Sequence, residues 1–159
     1  MTGVRMRARR GALAAGIAVL GIIGLVGCSS EPGAASEAVA FTVFTNGNQE
    51  SPRPYGELVR DRNTLLDVLA GPDVQLTFDR YPWRQDAAVI IFGGPQPTPG
   101  YRIVVDGLRQ SGDRLIAVAH AEPPTDGMQP QVVAHPYTVL QVRQSDVADV
   151  RSVSVIWKS

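Results

Sequence analysis

Read from its amino end, the chain begins with a pattern unlike the rest. Arg5, Arg7, Arg9 and Arg10 precede an apolar run from Gly11 to Gly27 broken only by small residues. Beyond it the apolar positions become short and spaced. Phe41-Thr-Val-Phe-Thr45 is β-branched and aromatic and predicts a strand, closed by the turn-former Asn46-Gly47. Gln49 to Tyr55, with Pro52 and Pro54, reads as loop. Asn63 to Ala70 predicts the one helix: Asn63 as cap, Leu65, Leu66, Val68 and Leu69 as apolar stripe, Gly71-Pro72 as stop. Strands follow at Val74–Phe78, by alternation, and at Ala87–Phe92, a continuous apolar run suited to a central strand covered on both faces. Tyr101–Leu108 and Leu115–Ala121 flank the turn Gln110-Ser-Gly-Asp113 and predict a hairpin. After a loop from Pro123 to Pro130 containing Asp126-Gly127, Val132–Ala134, Thr138–Val142 and Val153–Trp157 complete the pattern. The expected fold is mainly β (α+β), an antiparallel sheet or sandwich of about seven short strands with one short helix.

The first segment fits an address rather than a fold. A basic stretch, an apolar stretch and a small residue before a cut describe a secretory signal. Leu25-Val26-Gly27-Cys28 resembles the lipobox of a bacterial lipoprotein signal. The resemblance implies cleavage before Cys28 and acylation of its thiol. A membrane-spanning helix is the competing interpretation, but Gly11 to Gly27 lies at the short edge of the roughly 17–25 residues a span needs. The expected organisation is a signal over residues 1–27, a lipidated cysteine with a flexible tether over 28–40, and a β-rich domain over 41–159. Small polar residues from Ser29 to Ala40 carry the tether reading. The expected location is the cell membrane, lipid-anchored, facing the periplasm or the exterior.

Charge and cysteine count narrow the partners. Cleavage removes four of fifteen basic residues, leaving eleven against fifteen acidic ones, a formal charge of −4. A mildly acidic body with one lysine, Lys158, points away from nucleic acid. Acyl chains must then supply the membrane attachment. Cys28 is the only cysteine, and the two histidines stand far apart, so neither an internal disulfide nor a structural zinc site is expected. No cofactor is expected.

Candidate chemistry concentrates in Gly93-Gly-Pro-Gln-Pro-Thr-Pro-Gly-Tyr101. Three glycines and three prolines between two strands specify one backbone path. Such a loop serves either as a rigid connection or as a preorganised surface for a partner. It lacks the Gly-Lys-Ser/Thr ending of a phosphate loop. His120 and His135 have no nucleophile in a hydrolase setting, and Asp79 and Asp86 have nothing fixing their separation, so no catalytic residue is assigned. Tyr81-Pro82-Trp83 lies among Arg80, Arg84 and Gln85, a composition found at interface hot spots.

Gly94-Pro-Gln-Pro-Thr98-Pro-Gly100-Tyr101-Arg-Ile-Val, then Leu115-Ile-Ala-Val118, Glu122-Pro123-Pro124, Gly127 and His135-Pro136-Tyr137, resembles the C-terminal domain of the protease-complex subunit PrcB family. The resemblance covers roughly Ala87 to Arg143 and extends back toward the helix at Asn63. It implies a β-rich, non-catalytic protein-binding domain, with an exported protease or envelope protein as partner. Binding would fall to Thr98, Gly100, Tyr101, His135, Pro136 and Tyr137. Pro99 stands where the family has the first glycine of Gly-Gly-Tyr, and Val-Ala-His-Pro replaces its Thr-x-Pro segment. Gln96-Pro97-Thr98-Pro99-Gly100-Tyr101 and His135-Pro136-Tyr137 also resemble two loops of chagasin-like cysteine-protease inhibitors. That alternative implies rigid loops wedged into a protease cleft.

Overall fold

The computed structural model describes residues 36–125 and 130–158. The predicted signal, Cys28, most of the tether and the Asp126-Gly127 turn lie outside the described residues. Among the described residues no helix is long and apolar enough to cross a membrane.

Among the described residues eight strands form two four-stranded sheets, and two short helices link β3 to β4 within one of them. A central sheet has the order β2-β7-β4-β3, built from β2 (Phe41–Asn48), β3 (Tyr55–Val59), β4 (Asp86–Phe92) and β7 (Pro136–Arg143). An outer sheet has the order β1-β5-β6-β8, from β1 (Glu37–Ala38), β5 (Arg102–Ser111), β6 (Arg114–Glu122) and β8 (Ser152–Trp157). The expected mainly β architecture is what the chain adopts.

The continuous apolar run Ala87–Phe92 explains the layering. Ala87, Val89 and Ile91 face the outer sheet, where Ile103, Leu108, Leu115, Ala117 and Ala119 meet them. Ala88, Ile90 and Phe92 face the opposite way, onto Leu65, Leu69, Val74 and Phe78 of the helices. β7, paired antiparallel to β4, divides in the same manner, with Leu140 and Val142 on one side and Tyr137 and Val139 on the other. Three layers result: outer sheet, central sheet, helices.

The helical layer departs from expectation. α1 (Arg62–Val68) is capped by Asp61, not Asn63: the Thr64 amide donates to Asp61 Oδ1 at 3.0 Å and its hydroxyl to Oδ2 at 2.7 Å. These bonds hold the Asp61 carboxyl below the usual carboxylate range. α1 ends at Val68, with Leu69 already extended and short of the predicted Ala70, and Gly71-Pro72, expected as its stop, instead opens α2 (Pro72–Phe78), since a proline in the first turn forfeits no helical bond. Val74–Phe78, expected as a strand, is helical because Val74 and Phe78, four apart, are the buried pair, while Leu76 is 73 % exposed.

Other corrections are local. β2 runs through Asn46-Gly47, which makes no turn, and bulges between Val43 and Thr45. β3 occupies the end of what reads as loop. Val132–Ala134 is not a strand and contributes one bridge, Gln96 to Ala134. The sheet starts at Glu37, four residues before the predicted domain boundary, because Glu37 and Ala38 pair with Gln110 and Arg109 and Val39 is buried. The β5–β6 hairpin is as expected, with Ser111 opposite Arg114. β8 pairs with β6 in parallel rather than antiparallel, because the chain visits the central sheet as β7 in between.

Ile90→Ala, at a fully buried position of the central strand, is expected to cost about 2–5 kcal/mol in denaturant unfolding. Leu76→Ala, on the exposed side of α2, should stay within about 0.5 kcal/mol. Equal losses would contradict the layering.

Candidate functional site

The glycine-proline loop leaves β4 at one end of the domain and lies beside two other loops. Its entry is fixed by the Gly93 amide, which donates to the Pro136 carbonyl at 2.8 Å. Midway, Gln96 and Ala134 exchange backbone bonds of 2.7 and 3.0 Å, and Gln96 Nε2 returns to the Gly93 carbonyl at 3.2 Å. Gly94 and Gly100 have φ of 68° and 90°, the left-handed region where a side chain is strained. A Cβ at Gly100 would also sit 2.9 Å from Pro124 Cβ. Between these fixed points Pro95 and Pro97 are exposed, and Thr98, Pro99 and Tyr101 are half-buried. Residues 93–101 carry no charge.

His135 does not face solvent as a loop tip. Its Nδ1 lies 2.9 Å from the Ser51 carbonyl and 3.2 Å from the Ser51 amide, and its own carbonyl accepts from the Gln49 amide at 2.9 Å. The histidine thus fastens the 49–53 segment to the start of β7. Ser51 is 2 % exposed, and its hydroxyl donates to the Arg53 carbonyl at 2.7 Å, so the pair holds backbone rather than activating a nucleophile. Asn48, Gln49, Glu50, Pro99, Val133, Ala134 and His135 line a shallow cleft of about 300 Å³ where the three segments meet.

The six predicted binding residues therefore separate. Thr98, Gly100 and Tyr101 are on the loop and reachable from outside. Pro136 is buried and Tyr137 is 8 % exposed, its ring 5.9 Å from that of Phe92. Pro136 holds the loop's entry through its carbonyl, while Tyr137 packs in the helix-side core and against Gly47. The inhibitor alternative needs His135-Pro136-Tyr137 as an exposed wedge, and burial of two of the three removes that support.

Of Tyr81-Pro82-Trp83 only Tyr81 is buried, while Trp83 is half-buried against it and Pro82 is exposed. Tyr81 is 5 % exposed, donates its hydroxyl to the Ala87 carbonyl at 2.7 Å, and packs with Phe44, Phe78 and Trp83 at ring separations of 4.4–5.6 Å. His120 stands apart on β6, paired at 3.2 Å with Asp106, which also holds Lys158 at 3.0 Å. The Lys158 and His120 contacts hold the Asp106 carboxyl below its ordinary range. Asp79 pairs with Arg62, and Asp86 accepts from Gln141, so the two carboxylates are not a pair. Among the described residues no group of three histidines, cysteines or carboxylates is arranged for a metal.

Sequence reasoning missed the residues that fix the loops: Ser51, Gln49 and Gln96, whose polar groups meet distant backbone. Nothing in their spacing announces it. Gln49 is the clearest case, donating to the Val68 carbonyl at 2.6 Å and accepting from the Ala70 amide at 2.8 Å.

Residues 87–143 match the family model described as PrcB C-terminal, the bounds expected from the loop and the strands that follow it. No curated protein and no solved structure matches the chain.

Burial raises the phenol pKa of Tyr81, with the Asp86 charge adding to it, and burial raises that of Tyr137. The folded chain holds both protons more tightly than the unfolded one. That stabilisation is complete below the unfolded pKa of about 10 and is lost as pH rises through the folded values. The urea midpoint is therefore expected to fall between pH about 9 and pH about 11, and less steeply in Tyr81→Phe. A flat profile would contradict the burial of the two rings.

Proposed function

We propose, from the PrcB C-terminal match over residues 87–143, that this chain is a lipid-anchored envelope protein whose β domain binds a protein partner without catalysis of its own. The partner is an exported protease or a protein of its complex, which the domain helps to assemble or stabilise. The observation that carries the reading is the loop from Gly93 to Tyr101, held in one path by its bonds to Pro136 and Ala134 and by two left-handed glycines. A loop ordered before contact loses little conformational freedom on binding, so its uncharged prolines and Thr98 can contribute their burial to affinity. The anchor reading rests on the lipobox at Leu25–Cys28.

Affinity capture from native membranes tests the first part. The tagged full chain is expected to retain an envelope protease or its complex, and Thr98→Arg and Gly100→Val should lose it while their far-ultraviolet dichroism stays unchanged. Capture equal to that of the parent chain in both variants would remove the loop from the interface. For the anchor, Cys28→Ala should abolish incorporation of labelled palmitate and move the protein out of the membrane fraction. Retention of both would refute acylation at Cys28.

A further inference from the structure

We propose that the groove between the free edge of β2 and helix α2 is a second binding site, one that takes an extended, neutral or basic peptide segment by strand addition. The groove has a volume of about 310 Å³, with Thr45–Asn48 of β2 along one wall and Ala70–Val74, Thr77 and Phe78 along the other. Tyr137 lies between them.

Three observations point to a ligand. The first is the Tyr137 hydroxyl. Most of Tyr137 is buried, while its hydroxyl opens onto the groove and makes no hydrogen bond to the described residues. A Cβ on Gly47 would overlap that hydroxyl and the ring carbons beside it. Glycine at position 47 is thus what lets the phenol lie across β2 and bring its oxygen to the strand's edge. An incoming carbonyl can accept from that hydroxyl in place of water.

The second observation is the edge itself. β2 is the terminal strand of the central sheet, so its outward amides and carbonyls lack a strand partner. The bulge between Val43 and Thr45 interrupts the edge, but from Thr45 to Asn48 the register against β7 is unbroken. A straight run of backbone groups after a bulge is the geometry that strand addition uses. No proline stands in it, and Thr45, Asn46, Gly47 and Asn48 are all uncharged.

The third is that the walls are held apart by design of the fold. The Gln49 side chain ties the end of β2 to the last turn of α1 through the Val68 carbonyl and Ala70 amide, so the groove exists before anything enters it. The β2 wall is polar, the α2 wall mixes Thr77 with Pro72, Val74 and Phe78, and Asp73 is the one charged group among the lining residues. That carboxylate selects against acidic segments and favours a lysine or arginine beside it.

The test uses the full chain and a panel of fluorescein-labelled eight-residue peptides that alternate valine with serine, lysine or glutamate. Fluorescence anisotropy should show saturable binding, tightest for the lysine series and weakest for the glutamate series. N-methylation at alternate peptide amides should abolish it, because strand addition needs those donors. Tyr137→Phe, which removes one hydrogen bond, should weaken binding about five-fold at an unchanged melting temperature. Asp73→Asn, on the exposed first turn of α2, should erase the preference for lysine. Absence of saturable binding below about 1 mM across the panel would overturn the proposal. So would affinity that survives N-methylation or is equal in Tyr137→Phe. Capture of the loop's partner is read separately on the same preparations, so failure of the groove and failure of the loop give different results.

Discussion

The antiparallel pairing of β4 with β7 is the constraint on which the other elements depend. Both strands are apolar on both faces, so neither can lie at a surface, and a single sheet cannot satisfy them. One side requires a second sheet and the other a cover of helices. Two helices of seven residues each are too short to persist alone and exist because this face receives them. The same pair places the loops: β4 ends into Gly93 and β7 begins at Pro136, and the bond between them fixes the mouth from which the glycine-proline loop projects. Core and candidate interface therefore share two strands.

What could be read from the sequence follows from how local the signal is. The apolar run at Ala87 and the Gly112-Asp113 hairpin carry their meaning in adjacent residues, and both were legible. Val74–Phe78 was not, since alternation and an i, i+4 pair coincide over five residues and only contact with the central sheet decides between them. Asn46-Gly47 has turn chemistry, but its glycine answers to Tyr137 on the neighbouring strand, a demand invisible along the chain. Tyr81-Pro82-Trp83 has interface composition because it is flanked by arginines, while its rings turn inward to an aromatic cluster.

The candidate site divides in the same way. Proline and glycine announce a shaped loop, and Thr98, Gly100 and Tyr101 are reachable on it. His135 fastens the neighbouring segment and Pro136 holds the loop's entry, while Tyr137 turns away into the helix-side core. A sequence motif marks which residues travel together; it does not say which of them face outward. Side-chain amides made the difference here: Gln49 and Gln96 join segments by bonds to backbone that no pattern of apolar positions records.

The parallel pairing of β8 with β6 has a consequence for the order of assembly. Between them the chain crosses to the central sheet and returns, so the two partners are joined only through β7 and the short turn of helix after it. β8 has no local contact from which to start and can dock only when the hairpin and the β4–β7 pair already stand. Val153, Val155 and Trp157, which close one side of the inter-sheet core, thus act as a latch set late in assembly, and until it is set the apolar faces of β6 and β3 are open to wrong partners.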